Sequence, residues 1–171
     1  MGSPFPALLG GCLALTIGAS GARMALAQTA PQTAGAESRK ACGFTMGPAA
    51  AAEWDDMGGA DGRLGCPTAD EASTVASPAG TQSDVTAFGD RGAVFTIRSG
   101  PQAGKAFAIT GCAWRLFFGY GGSGGWLGLP IEDGQNTPDG QTQTFEGGKV
   151  TLTRATSECE AEPTGPASES H

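Results

Sequence analysis

The sequence predicts an α+β domain, rich in strands and turns, built from two tandem repeats of short helix, Leu-Gly-x-Pro turn and β-hairpin and stapled by disulfides. Three observations predict this fold. The stretch WDDMGGADGRLGCP at 54–67 recurs as FFGYGGSGGWLGLP at 117–130, 63 residues later. Each copy is followed by segments in which apolar and polar residues alternate, as they do in strands. Four cysteines accompany the two copies and could form two disulfides.

The N-terminal segment 1–27 is predicted to be a cleaved secretory signal peptide. Its apolar run covers about 7–19, which is too short to span a bilayer comfortably, and the segment ends in the A-x-A pattern at 25–27. Its first basic residue, Arg23, follows the apolar run, so an uncleaved anchor stays an alternative. Lipidation at Cys12 is a weaker alternative, because almost no apolar run precedes that cysteine.

Two flanking segments are predicted to lie outside the ordered domain. Residues 28–41 have no apolar periodicity and are expected to form a flexible leader, and 160–171 form the corresponding disordered tail. The globular part is therefore expected at 42–159. Its two repeats are expected at about 47–109 and 110–154.

Each repeat is predicted to open with a short helix. Residues 48–57 begin with a proline, which favours the first turn of a helix, and Gly58 follows as a left-handed stop. The second helix is expected at 110–120, with Thr110 as N-cap and Gly121 as stop. The Leu-Gly-x-Pro sequence after each helix cannot continue as helix and predicts a fixed turn.

Strands are predicted after each turn. Alternating apolar residues indicate strands at 84–88, 93–97 and 105–109 in the first repeat and at 141–145 and 149–153 in the second. The last two are expected to form a hairpin around Glu146-Gly147-Gly148. Around the strand at 105–109, Ala106, Ala108 and Thr110 alternate with Phe107 and Ile109. We therefore expect this strand to be half-buried.

The repeated stretches resemble the LGFP repeat, a family of cell-wall-associated repeats of mycolate-containing actinobacteria. The resemblance covers about 47–154 and depends on an ordered series of residues that occurs twice. In the first copy these residues are Trp54, Gly58, Gly59, Leu64, Gly65 and Pro67, and in the second, after Trp114, they are Gly121, Gly122, Leu127, Gly128 and Pro130. The third letter of the name-giving motif is Cys66 in one copy and Leu129 in the other, where the family has phenylalanine.

The cysteine count predicts two disulfides. After signal cleavage four cysteines remain, and an even number in an exported protein is typical of disulfides, with three possible pairings. We expect Cys42–Cys159, which would join both ends of the ordered region, together with Cys66–Cys112. The cysteines form no CxxC pair, so a zinc site is not expected.

Charge and histidine content argue against several functions. The sequence has 17 acidic and 10 basic residues and a net charge of −7, so nucleic acid is not an expected partner. The only histidine is the terminal His171, so Ser-His-Asp and Cys-His catalysis lack their base. We expect no catalytic residue, cofactor or metal. A hydrolase that uses two carboxylates is the remaining enzymatic alternative, and its candidate residues are Asp55, Asp56, Asp70, Glu71, Glu132 and Asp133.

Trp126 is the first candidate for ligand binding. Its counterpart in the first copy is Arg63, and an exchange between arginine and tryptophan indicates an exposed position. Tyr120, which matches Met57, is the second candidate. Aromatic faces can cover the C–H patches of sugars while polar side chains bond the hydroxyl groups. The polar candidates are Glu132, Asp133, Gln135 and Asn136.

Trp54 and Trp114 lie in the two predicted helices and are expected in the core instead, because each repeat needs one large apolar residue to pack around.

The resemblance implies a non-catalytic module that holds exported enzymes on the arabinogalactan–peptidoglycan wall. We therefore expect a secreted, cell-wall-associated protein that binds wall polysaccharide and, after signal cleavage, no membrane. The alternative is a protein-interaction module that binds an exported cell-wall enzyme or caps a longer repeat array.

Overall fold

Two copies of one helix-and-sheet unit follow each other in the computed structural model, which describes residues 37–164. The predicted α+β, strand-rich and disulfide-stapled fold class is confirmed. The predicted signal peptide at 1–27, most of the predicted leader and residues 165–171 of the predicted tail lie outside the described residues.

Both repeats contain one helix and one four-stranded antiparallel sheet. The first comprises β1 (Arg39–Ala41), β2 (Phe44–Met46), α1 (Pro48–Asp56), β3 (Ala72–Ser73), β4 (Ser83–Ala87), β5 (Gly92–Ile97) and β6 (Ala106–Thr110). The second comprises α2 (Gly111–Gly119), β7 (Gln135–Thr137), β8 (Gly140–Thr144), β9 (Gly148–Thr153) and β10 (Cys159–Pro163). The sheets have the matching orders β3-β4-β5-β6 and β7-β8-β9-β10, and β1 and β2 form a separate hairpin. The helices and the five predicted strands agree with the prediction to within one residue.

The predicted leader and tail were wrong at their inner ends. Arg39–Ala41, placed in the leader, form β1 and pair with β2, and residues 160–163, placed in the tail, belong to β10 and pair with β9. Both are edge strands, joined to their neighbours through backbone hydrogen bonds. The three residues of β1 are too few to show a period, whereas Cys159, Ala161 and Pro163 of β10 alternate with Glu160 and Glu162, which is the pattern of a strand.

The repeated glycines set the ends of the helices. Gly58 and Gly121 adopt left-handed φ values of 96° and 99° directly after the two helices, as expected for a helix stop. Four residues further, Gly62 and Gly125 lie so close to the preceding turn that a Cβ would overlap a backbone carbonyl oxygen in each case. Thr110 occupies the predicted N-cap position, but its side chain makes no capping hydrogen bond.

The sheet of the first repeat is buried on both faces. Val94 of β5 and Ala108 of β6 belong to a core with Trp54 of α1. Their neighbours in the same strands, such as Phe95, face the other way and belong to a second core with Phe117 of α2. The prediction that the strand around residues 105–109 is half-buried was therefore wrong, because α2 of the second repeat covers the face that α1 leaves free.

The disulfides also differ from the predicted pairing. The bonds are Cys42–Cys66 and Cys112–Cys159, with Cα–Cα distances of 5.8 and 6.1 Å. The predicted pairs Cys42–Cys159 and Cys66–Cys112 would have linked the two repeats. Instead, each bond closes within one repeat, because the β1–β2 turn lies beside the first Leu-Gly-x-Pro turn and the start of β10 lies beside the first turn of α2.

Candidate functional site

The two repeats share an aspartate that binds the backbone of the preceding strand. Asp70, three residues after Pro67, accepts a hydrogen bond from the Thr45 N–H through Oδ1 at 2.6 Å. Asp133, three residues after Pro130, accepts one from the Ala108 N–H at 3.0 Å. Asp133 was predicted to bind ligand, and the structure gives this carboxylate a structural partner.

The other polar candidates lie beside Asp133 in the second repeat. The Glu132 carboxylate accepts a hydrogen bond from the Thr144 hydroxyl at 2.5 Å. The Gln135 side-chain amide donates to the Asp133 carbonyl oxygen at 3.1 Å. Asn136 is exposed. Glu132 and Gln135 therefore have local partners, whereas Asn136 faces solvent.

Tyr120 and Trp126 form an exposed aromatic pair. Their ring centroids are 5.4 Å apart with an angle of 56° between the planes. The two residues are 41% and 40% exposed, so each offers ring surface to solvent while the rest is packed. The Trp126 ring lies over Gly148, where a Cβ would approach its Cζ3 to 2.8 Å. A glycine at this position thus lets the ring rest on the backbone of β9.

The six predicted ligand-binding residues do not form one site. Asp133 lines a cleft at the junction of the two repeats, and Asn136 lines its neighbour. The aromatic pair lines neither of these clefts.

The cleft between the repeats, here called the junction cleft, has a volume of about 300 Å³. Its walls come from α1 and the turn after it, from β6, from the segment after Pro130 and from β8. The lining residues are Glu53, Asp56, Met57, Arg63, Ala108, Thr110, Asp133, Gly134, Gln141 and Gln143. A second cleft of about 240 Å³ shares Arg63 and Gln141 with it, so the two clefts are adjacent.

A carboxyl pair marks the junction cleft. The Glu53 carboxyl of α1 and the Asp133 carboxyl from the second repeat line this cleft together. Partial burial, together with the nearby charges of Asp133 and Asp56, raises the pKa of Glu53 to about 7. Glu53 is therefore the strongest electrostatic feature of the cleft.

Sequence reasoning did not single out Glu53. One signal was available: the equivalent position of α2 holds Leu116, so the two repeats exchange a charged for an apolar residue. Glu53 matters because residues of the second repeat lie beside α1. No local sequence pattern predicts that these two parts of the chain meet.

An apolar groove of about 650 Å³ lies between the first sheet and α2. Val85, Phe95, Trp114 and Phe118 contribute to its lining. Phe118 is 71% exposed at this groove, which is unusual for a phenylalanine.

The two tryptophans predicted in the core differ. Trp54 is buried, and its Nε1 donates to the Gly65 carbonyl oxygen at 2.7 Å. Trp114 is half-buried and stacks on Phe117 with centroids 5.9 Å apart. The position of Trp54 in the first repeat corresponds to Phe117 in the second, so Phe117 is the central aromatic residue there.

Comparison with protein-family models yields no match for this chain, and comparison with curated proteins yields none either. Within residues 37–164, no group of histidine, cysteine and carboxylate side chains is arranged to hold a metal ion. In the same part of the chain, neither helix is long and apolar enough to cross a membrane.

Proposed function

We propose that this protein is a secreted, non-catalytic module of the LGFP-repeat type that associates with cell-wall polysaccharide, arabinogalactan or peptidoglycan. The observation that carries the proposal is the exposed pair of Tyr120 and Trp126. Two adjacent, half-exposed rings provide the apolar surface on which the C–H face of a sugar can stack. The first repeat has Met57 and Arg63 at the same positions, so the second repeat alone carries this surface.

Equivalent backbone features in both repeats support the interpretation as LGFP-like repeats. The left-handed glycines after the helices and the hydrogen-bonded turns before each proline recur at the same spacing. The two disulfides are typical of proteins that fold outside the cytoplasm, which agrees with a secreted module.

Retention on cell walls tests the proposal. The double variant Y120A/W126A should lose at least tenfold in retention on purified walls from which mycolates have been removed. F118A, which removes an exposed ring elsewhere, is the matched control and should be retained like the wild type. Equal retention of Y120A/W126A and wild type would disprove a role of the pair in glycan binding.

The apolar groove supports a second candidate, a protein-interaction module for an exported cell-wall enzyme. A groove of about 650 Å³ with a 71% exposed phenylalanine provides an apolar contact surface for a protein. In this case F118A would lose retention on intact walls that still carry their proteins. Walls treated with protease would then bind neither F118A nor the wild type.

A further inference from the structure

A cleft of about 490 Å³ lies between the two repeats at the second Leu-Gly-x-Pro turn and is here called the loop cleft. Two loops of the first repeat form one side of it, residues 74–82 between β3 and β4 and residues 98–105 between β5 and β6. The turn at 129–131 and Glu146 form the other side. The loop cleft shares no lining residue with the junction cleft or the apolar groove, and neither member of the aromatic pair lines it.

The first repeat closes the equivalent place with a disulfide. β2 and β6 each precede a helix directly, and each donates one N–H to an aspartate 25 residues later, so the β1–β2 turn matches the loop at 98–105. In the first repeat this turn is bonded to the Leu-Gly-x-Pro turn through Cys42–Cys66. The residue that matches Cys66 is Leu129, and both Leu129 and the loop at 98–105 line the open cleft. The second repeat therefore leaves open a space that the first repeat bridges covalently.

The loops that build the cleft are long and held to each other. The connection at 74–82 corresponds to only residues 138–139 in the second repeat, where β7 turns into β8. The Gln82 N–H donates to the Ser99 hydroxyl oxygen at 2.9 Å, which joins the two loops. Extra loop length on a rigid scaffold is typical of binding sites, and a site held in this way is largely pre-formed.

The loop cleft contains a buried acceptor that lacks a donor. The side-chain Oε1 of Gln102 is buried, and no donor in the described part of the chain bonds it, although buried polar atoms ordinarily have a partner. The residue as a whole is half-buried, so rotation of its side chain can turn this oxygen towards a ligand in the cleft. Glu146 adds a carboxylate, whose Oε2 accepts the Leu129 N–H at 2.9 Å. The hydroxyl groups of Thr81 and Ser99 are the other polar side chains of the lining.

We propose that the loop cleft binds one sugar unit, an uncharged ring that carries several hydroxyl groups. Its acceptors come from different segments of the chain, so a ligand must donate in several directions. Each sugar hydroxyl can donate to an amide or carboxylate oxygen and can also accept from a hydroxyl side chain. The negative charge of Glu146 disfavours an anion. The rest of the lining is largely apolar and suits the C–H faces of a sugar ring, with Ile97, Pro101, Pro130 and Ile131.

Amide chemical shifts of the full chain test the proposal. The probes are methyl galactoside, methyl arabinoside and N-acetylglucosamine, and at least one should shift the resonances of Gly100, Ile131 and Glu146 in a saturable manner. Tetrahydropyran, a similar ring without hydroxyl donors, should not. Q102L should weaken sugar binding about fivefold, as expected for the loss of one hydrogen bond. Q82L makes the same change at an exposed glutamine outside the cleft and should bind like the wild type.

Two controls separate this site from fold defects and from the aromatic pair. Q102L removes an acceptor that has no partner, so its thermal unfolding should match that of the wild type. Y120A/W126A should keep the sugar-induced shifts in the cleft, since the site does not depend on stacking at the aromatic pair. No shift with any of the three sugars, equal shifts with tetrahydropyran or unchanged affinity in Q102L would overturn the proposal. Tighter binding of acetyl-glycinamide than of every sugar would also overturn it and would assign the cleft to peptides.

Discussion

The two sheets have the same backbone arrangement but different side chains on their outer faces. The outer face of each sheet is the one turned away from the helix of its own repeat. Phe95 and Phe107 of the first sheet point away from α1 and pack against Phe117 of the second repeat. The matched positions of the second sheet hold Thr151 and Glu160, which are half-exposed and exposed. Further exchanges at matched positions are Val85 to Thr142, Ala87 to Thr144, Ala93 to Lys149, Ile97 to Thr153 and Ile109 to Glu162.

This difference indicates where the array stops. A repeat that continues an array needs an apolar outer face, and a terminal repeat needs a polar one. At the other end, the β1–β2 hairpin buries Ala41 and Met46 against the core around α1. Cys42–Cys66 ties this hairpin to the first Leu-Gly-x-Pro turn. The two described repeats therefore bury their apolar faces without a third copy.

The largest expected effect comes from replacing an apolar residue on the outer face of the first sheet by the residue at the matched position of the second sheet. F95T removes a buried ring between the repeats and should lower the free energy of unfolding by about 4 kcal/mol. The mirror variant T151F adds a ring to an exposed face and should change stability by less than about 0.5 kcal/mol while promoting self-association. Urea denaturation and sedimentation velocity measure the two quantities. Similar destabilisation by both variants would show that the two faces are equivalent after all.

The next largest effect concerns the two disulfides, which have no counterparts in the other repeat. Cys42–Cys66 closes a separation of 24 residues and Cys112–Cys159 one of 47. C42A/C66A should cost about 3 kcal/mol of unfolding free energy and C112A/C159A about 4 kcal/mol, because longer loops restrict the unfolded chain more. Guanidinium denaturation tests this order, and a larger loss for C42A/C66A would contradict it.

A smaller effect is expected where Trp54 matches Phe117. W54F makes the central aromatic residues of both repeats alike but leaves the Gly65 carbonyl oxygen without the indole donor. The loss should be about 2 kcal/mol in unfolding free energy, measured by urea denaturation followed by far-UV circular dichroism. F117Y, which adds a hydroxyl at the matched position, serves as the comparison. Stability of W54F equal to the wild type would mean that the hydrogen bond contributes nothing.

The charge exchange between Glu53 and Leu116 predicts a dependence on pH. Because the folded-state pKa of Glu53 is raised from 4.5 to about 7, its contribution to stability is full below pH 4.5 and is lost as pH rises through 7. E53Q stays neutral and should be more stable than the wild type by about 1 kcal/mol at pH 8, since solvent screens a half-buried group. At pH 4 the two should unfold alike. A constant difference across this range would exclude the titration of Glu53 as its cause.

The smallest effect on stability accompanies a gain of function. M57Y/R63W places the aromatic pair of the second repeat on the first and should alter the unfolding free energy by less than about 0.5 kcal/mol. Retention on mycolate-stripped walls should increase, because the module would then carry two stacking surfaces. M57A/R63A is the control for loss of the native side chains. No gain over that control would show that two rings alone are not sufficient.

Much of the fold could be predicted from local chemistry. Gly58 and Gly121 end their helices and Pro67 and Pro130 fix their turns because only these residue types suit the backbone there. β1 could not be predicted, since three residues are too few to show a period and its pairing with β2 defines it. For β10 a signal was present, because Cys159 and Ala161 alternate with Glu160 and Glu162. The disulfide pairing likewise depends on which segments meet in space.

The candidate site was less predictable than the fold. The exposure of Trp126 could be predicted from its exchange with Arg63, and the structure confirms the exposure but leaves ligand binding a prediction. The contact of Asp133 with the Ala108 backbone could not be predicted, because it joins two elements 25 residues apart. Glu53 was missed for a similar reason, since its partner belongs to the other repeat.

The positions of the disulfides also determine how the described domain would extend under tension. If its ends were pulled apart, the loops 42–66 and 112–159 could not lengthen, because covalent bonds close them. The releasable length would lie mainly in residues 67–111, roughly 150 Å of extended chain. That segment contains β4, β5 and β6 of the sheet that is buried on both faces, so this sheet would bear the load. Under tension, unfolding of this sheet would therefore precede any extension of the parts closed by disulfides.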